Sequence, residues 1–234
     1  MKMVAVDTSG LSASVAALED GALLAERWQS YARQHSSIIM PMLEEMLEKL
    51  SWQARDVDVW AAVVGPGSFT GLRIGVSTVR ALAHAWNKPC VGVNAIEALA
   101  MMALQAPDLI VPVIDARNKQ VYTGAYHFSG DSLLCDISPK ACGIMELLDE
   151  LTGRDVTFLA GGAIVHRDLI IRRFGKRARF LPAHLCVERA GAAAVLAAAK
   201  VKAGETVTYR ELAPLYLKKP QAQRDYERAH PEEK

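Results

Sequence analysis

Cysteine is scarce in this chain, and its four copies stand far apart: Cys90, Cys135, Cys142 and Cys186. No two have the roughly two-to-four-residue spacing of a zinc knuckle or a redox dithiol, and no disulfide framework is legible. Reduced thiols are the simple reading. The six histidines do not pair on one helix turn either, so metal binding through them is not indicated. No Gly-Lys-Ser/Thr follows the glycine-rich stretch, which rules out a Walker loop. Gly-x-Ser-x-Gly is absent as well, and no Ser/His/Asp arrangement stands out. There is no run of about 18 apolar residues, so no membrane span is expected. The first residues start a strand without a basic, then apolar, leader, so no signal peptide is expected. Net charge is only +1, leaving no global field to draw the chain to nucleic acid or membrane. A soluble, cytoplasmic protein is the expectation.

The apolar content, 51% against 23% charged, suffices for a core. Its order carries an internal echo. Met3-Val4-Ala5-Val6-Asp7 and Val111-Pro112-Val113-Ile114-Asp115 are apolar runs that end on aspartate. Each precedes a strand pair with a tight turn, at Glu19-Asp20-Gly21 and Ser129-Gly130-Asp131. A later strand ends on glycine in both halves, at Gly65-Pro66-Gly67 and Gly161-Gly162. The pattern predicts a duplicated α/β unit of two lobes with a cleft between the copies. Helices are predicted over 36–50, 70–86, 95–104, 143–151, 163–173 and 189–203. The lobes are read as 1–105, completed by about 205–217, and 106–204. A polar, mobile tail is expected over 218–234.

The stretch Gly65–Arg73 connects a strand to a helix. Its glycines permit close backbone approach, and Ser68, Thr70 and helix-start N–H groups form a candidate phosphate cradle with Gly67. A tight strand-to-helix connection explains the same residues. The helix after it is rich in small residues, among them Gly71 and Gly75, which fit close packing within the chain or against a partner. Asp7, followed by Thr8, and Asp115 end strands where open α/β sheets place ligands. Either aspartate equally suits capping of its own turn.

On a helical projection of 38–50 the apolar residues span roughly 200°, about twice the ordinary stripe. A partner helix would use the excess, and so would a sandwiched position within the lobe. Pro41 belongs in the first turn or kinks the helix. His35 fits a cap or an interface hydrogen bond. Arg167, Arg172, Arg173, Lys176, Arg177 and Arg179 surround one Asp168, a local excess of about five positive charges. That cluster suits a phosphate backbone or a solvated helix face.

Val4–Ser9, His35-Ser36 with Pro41, Pro66–Arg73 and Ile114–Arg117 together resemble the TsaB (YeaZ) family, over about 1–217. The resemblance implies the duplicated ribonuclease-H-like fold of the actin, sugar-kinase and acetate-kinase superfamily. It implies a cytoplasmic, non-catalytic subunit that supports its paralogue TsaD in N6-threonylcarbamoylation of adenosine 37 of tRNAs reading codons that begin with A. TsaE, an ATPase, joins them, and TsaC-type enzymes supply the threonylcarbamoyl-adenylate. TsaD carries an Asn-His-x-Glu-Gly-His metal motif. Here the matching stretch keeps Asn94 and Glu97, but Ala95 and Leu99 replace the two histidines, and neither binds metal. ATP is then used by the complex and no cofactor is expected on this chain, although Gly161-Gly162 matches a superfamily adenosine-binding feature. The family dimerises through the 36–50 and glycine-loop helices. That implies an interface of His35, Ile38, Ile39, Pro41, Met42, Met46, Leu72, Gly75, Val76 and Val79, for the TsaD heterodimer or a self-dimer, with tRNA contact through the complex. Met42→Asp is then expected to weaken the heterodimer and spare the fold. The rival readings are an ATP-dependent small-molecule kinase, with Asp7 at the metal and Asp115 as base, and a peptidase, for which no nucleophile–base pair is present.

Overall fold

A computed structural model describes residues 1–30, 35–104 and 106–218. Residues 219–234, and so nearly all of the expected mobile tail, lie outside the described residues. The first half runs β1 (Lys2–Asp7), β2 (Ala13–Glu19), β3 (Ala22–Gln29), α1 (His35–Lys49), β4 (Val59–Gly65), α2 (Phe69–Trp86) and β5 (Cys90–Asn94), followed by α3 (Ala95–Ala100). The second runs β6 (Leu109–Asp115), β7 (Gln120–Ser129), β8 (Ser132–Gly143), α4 (Ile144–Glu150), β9 (Val156–Leu159), α5 (Gly161–Val165), α6 (Arg167–Phe174) and β10 (Ala178–Phe180), followed by α7 (Ala190–Lys202).

The strands form two five-stranded sheets, β3-β2-β1-β4-β5 and β8-β7-β6-β9-β10. Both place the aspartate-ending strand in the centre, pair it antiparallel with a hairpin strand and parallel with the glycine-ending strand. The sequence echo is therefore a structural repeat. Positive φ at Asp20 and Gly21 makes the first hairpin turn, and Glu19 pairs with Ala22 across it.

Alternation along β1 sends Val4 and Val6 to one face and Met3 and Ala5 to the other, and both faces are covered. The Val4/Val6 face packs on α1 and α2. Ile39, Met42, Leu43, Met46 and Leu47 of α1 are buried there. At about 1.5–3 kcal/mol for each buried apolar side chain, this face of α1 contributes on the order of 10 kcal/mol against leaving it in water. The Met3/Ala5 face packs on α7, whose Ala190, Ala193, Ala194 and Ala197 let the helix sit close to the sheet.

This placement corrects the division read from sequence, which put 189–203 in the second lobe: α7 completes the first. Conversely, Ile96 and Leu99 of α3 join Ile110, Tyr126 and Leu159 of the second sheet. The lobes thus exchange covering helices, and α3 touches α7 between them. Glu26 on β3 anchors the start of α7, accepting from Gly191 N–H (2.9 Å) and pairing with Arg189, while Ala190 N–H donates to Ser14 Oγ (2.9 Å). Two helix boundaries also differ from expectation. The 95–104 helix ends at Ala100 and tightens into a 3₁₀ turn over Met101–Ala103, and the 163–173 helix is broken at His166 into α5 and α6.

Candidate partner-binding face and inter-lobe site

The end of β1 and the start of α2 are fastened to each other. Asp7 is 2% exposed, and its Oδ1 accepts from Ser9 N–H (2.9 Å) and Ser9 Oγ–H (2.7 Å). Thr8 Oγ1 donates to the Gly71 carbonyl (2.7 Å), and Ser68 N–H donates to the Ser9 carbonyl (2.7 Å). Ser68 caps α2 by accepting from Gly71 N–H (3.2 Å). The helix glycines exist for this approach. A Cβ at Gly67 would lie 2.3 Å from Ser9 O, at Gly71 2.0 Å from Thr8 O, and at Gly75 2.4 Å from Thr8 Oγ1. Asp7, Thr8, Gly67 and Ser68, candidates for holding a phosphate, are engaged with each other; Thr70 remains on the surface.

Asp115 ends β6 exposed, with Oδ1 accepting from Arg117 N–H (2.9 Å), a local turn. The acid beside Asp7 is Glu188, which no local pattern signalled. Its carboxyl rests on Gly10, whose missing Cβ leaves the room, and Ser12 Oγ donates to Glu188 Oε2 (3.3 Å) and to the Glu188 carbonyl (3.1 Å). Burial pushes the Glu188 carboxyl up to about 7, and the nearby Asp7 charge adds to this. Burial also raises Asp7, against the two hydrogen bonds from Ser9. The pair occupies the junction where the α7 start meets the β1 end.

Along Asn94–Leu99 the side chains of Asn94, Ala95 and Leu99 make structural contacts. Asn94 Oδ1 caps α3 by accepting from Ile96 N–H (2.8 Å), and Ala95 and Leu99 are buried in apolar clusters. Among the described residues, no three His, Cys, Asp or Glu side chains are grouped as metal ligands.

The α1–α2 surface differs from the interface set taken from sequence. Ile39, Met42, Met46, Leu72, Gly75, Val76 and Val79 face the first lobe's own interior, so most of the wide apolar stripe is taken up by the sheet on one side and α2 on the other. Ile38 is half-buried against the same core, His35 Nε2 lies 3.4 Å from the Leu11 carbonyl, and Pro41 is exposed. The first half of α2 presents Thr70, Arg73 and Ser77 outward, with half-buried Phe69 and Ile74; these line a shallow depression. The Arg73 guanidinium lies 3.9 Å over the Phe69 ring, its Nε–H donates to Tyr216 Oη (3.2 Å), and Tyr216 packs on Phe69 (centroids 4.9 Å apart). The chain returns here because Leu212 is buried in the first core and Leu215 N–H donates to the Val64 carbonyl (2.7 Å). Met40 on α1 and Leu215 add exposed apolar area. Aromatic and arginine side chains on an uncovered apolar ground are what protein interfaces concentrate.

Two sheets of one winding, facing each other across α3 and α7, define the class: a duplicated ribonuclease-H-like protein of the actin and sugar-kinase type. A ROK hexokinase from Thermus thermophilus shares that fold with a TM-score of 0.51 at 12% identity, over 87% of this chain and 100% of that one. Residues 23–226 match the family model described as TsaD, tRNA N6-adenosine threonylcarbamoyltransferase. The chain belongs to the TsaB (YeaZ) family of this group. It is 31% identical over 173 residues to the tRNA threonylcarbamoyladenosine biosynthesis protein TsaB of Bacillus subtilis, 73% of this chain and 75% of that protein. YeaZ from Pseudomonas aeruginosa superposes with a TM-score of 0.81 at 28% identity, over 92% of this chain and 99% of that one.

Proposed function

We propose that this chain is the non-catalytic partner subunit of TsaD in threonylcarbamoylation of adenosine 37 of tRNAs reading codons that begin with A. Ala95 and Leu99 carry the reading: two apolar, buried side chains occupy the positions at which the transferase motif has its metal-binding histidines. A residue buried in an apolar cluster without a donor atom cannot be recruited to a metal. The relatives' name, tRNA threonylcarbamoyladenosine biosynthesis protein, supports the pathway.

The docking face is the outward side of α2 with the Phe69–Arg73–Tyr216 cluster, flanked by Met40, Pro41, Ile38 and His35. The TsaD heterodimer and a self-dimer compete for this face. TsaE joins the pair, ATP is consumed by the complex, and the chain itself holds neither nucleotide nor metal. It works in the cytoplasm; among the described residues no helix is long and apolar enough to cross a membrane.

Reconstitution tests this reading. The chain alone should turn over no ATP. Mass spectrometry of tRNA nucleosides should detect the modification with TsaD, TsaE, threonylcarbamoyl-adenylate and tRNA present, and lose it when the chain is omitted. Arg73→Glu should weaken co-elution with TsaD at least about tenfold while melting within a few degrees of wild type. ATP-dependent phosphate transfer by the isolated chain, abolished by Asp7→Ala, would replace this reading with the kinase one.

A further inference from the structure

We infer that the α6–β10 edge of the second lobe is a docking surface for the phosphate backbone of tRNA. The inference rests on the tRNA-modification reading and adds a surface on elements other than those of the α2 face. Six cations of the 167–179 segment are exposed. Arg173 pairs with Asp149 (2.6 Å) and Arg179 with Asp108 (3.1 Å). Arg167 lies over the Phe180 ring, 4.1 Å from its centroid. Arg172, Lys176 and Arg177 have no acid within salt-bridge distance among the described residues, with Asp168 the only acid on α6 itself. Counting Asp108, Asp149 and Asp168 still leaves an excess of about three positive charges on one edge of a chain whose net charge is +1.

The fold holds this edge in place. Ile170 and Phe174 bury the inner side of α6 in the second core, where Phe158 stacks edge-on against Phe174. The outer side of that helix and the turn after it therefore present their cations on a rigid support. Such exposed ion pairs as Arg173–Asp149 are worth only about 0.2–1 kcal/mol, so phosphates can replace the carboxylates. Arg167, placed over Phe180, also offers its guanidinium to an unstacked base, a contact that RNA loops supply. Nothing here reads a base edge, so the surface contributes affinity and register without sequence preference.

The test titrates fluorescein-labelled tRNA with the chain–TsaD complex at several salt concentrations. The variant is Arg172→Glu, Lys176→Glu and Arg177→Glu together. A control, Arg55→Glu, Lys202→Glu and Arg210→Glu, makes the same charge change at scattered sites. The patch variant should bind tRNA at least about tenfold more weakly at low salt, and its log K against log salt should flatten by about two to three. The control should lose far less, and co-elution with TsaD and thermal melting should not change for either. Equal loss in both variants, or no loss in the patch variant, overturns the inference. Loss of binding to phosphatidylserine vesicles with tRNA binding intact would also overturn it, assigning the edge to a membrane surface. Wild-type complex that modifies tRNA while the patch variant binds normally would leave the partner reading standing; wild-type complex that modifies none would remove that reading instead.

Discussion

The ends of β1 and β6 occupy equivalent places in the two repeats and have opposite characters. At β1 the aspartate is buried, and the chain after it is held by Gly71 O and by Ser68 N–H of the next glycine turn. At β6 the aspartate is exposed, and Arg117, Asn118 and Lys119 follow with φ of 60°, 53° and 57°. Three left-handed non-glycine residues in a row cost on the order of 1 kcal/mol each. The Ala116–Gln120 and Ile144–Lys119 backbone bonds help hold them. The helices diverge likewise. After the first glycine turn α2 runs unbroken for 18 residues, whereas its counterpart is broken into α5 and α6. Duplication thus supplied one scaffold twice. The first copy is closed onto one continuous helix, and the second has an open turn and a charged edge.

The sharpest way to break this comparison is to refill the glycine contacts. Gly71→Val places a side chain against the Thr8 carbonyl, and backbone cannot give way; a loss above about 4 kcal/mol, or failure to fold, is expected in a denaturant titration. Gly161→Ala, at the start of the counterpart helix where nothing lies within 4 Å, should change stability by less than about 0.5 kcal/mol; the next residue, Gly162, repeats the close approach instead, a Cβ there lying 2.6 Å from the Val113 carbonyl oxygen. A loss at Gly161→Ala comparable to that at Gly71→Val would show that the second glycine turn is closed at both of its glycines.

The helices that follow the two hairpins make a second pair. Met42 on α1 is 6% exposed and Met145 on α4 is 50% exposed. Met42→Asp should cost about 3–5 kcal/mol by burying an unpaired charge and leaving a cavity, and Met145→Asp about 0.5 kcal/mol or less. The sequence-based expectation that Met42→Asp spares the fold is thereby reversed. A Met42→Asp protein with wild-type melting and lost TsaD binding would restore it.

The smallest effect concerns Glu188. Its folded pKa of about 7 stands above the ordinary 4.5, so the folded state holds the proton more tightly than the unfolded chain. Stability therefore falls as pH rises from about 4.5 to 7 and stays reduced above that. Glu188→Gln removes this fall. It should stabilise the protein by on the order of 1–2 kcal/mol at pH 8 and by nothing measurable at pH 4, read from melts across pH. A gain equal at both pH values would show that the carboxyl is not strained by burial.

Much of the fold was readable because its signals are local. Apolar runs ending on Asp7 and Asp115, turns at Asp20-Gly21 and Ser129–Asp131, and glycine after the fourth strand of each half announce two copies of one unit. The site was harder to read. The apolar stripe of α1 shows which residues leave water, not what covers them, and Met42 and Met46 meet the lobe's own sheet and helix. Glu188 lies 181 positions from Asp7, and Tyr216 lies 143 from Arg73. No periodicity links such pairs.

Period-two and helical patterning, together with turn residues, thus determined the repeat and the order of its elements along the chain, and the motif residues of Val4–Ser9, Pro66–Arg73 and Ile114–Arg117 carried the family resemblance, since each depends on neighbours in the chain. Only tertiary packing decided that α3 and α7 cross between lobes, that most of the wide stripe of α1 turns inward, and that an arginine–aromatic cluster is left facing out. The reason is geometric: burial can be satisfied by any apolar surface brought close enough, and which surface arrives is a property of the assembled layers.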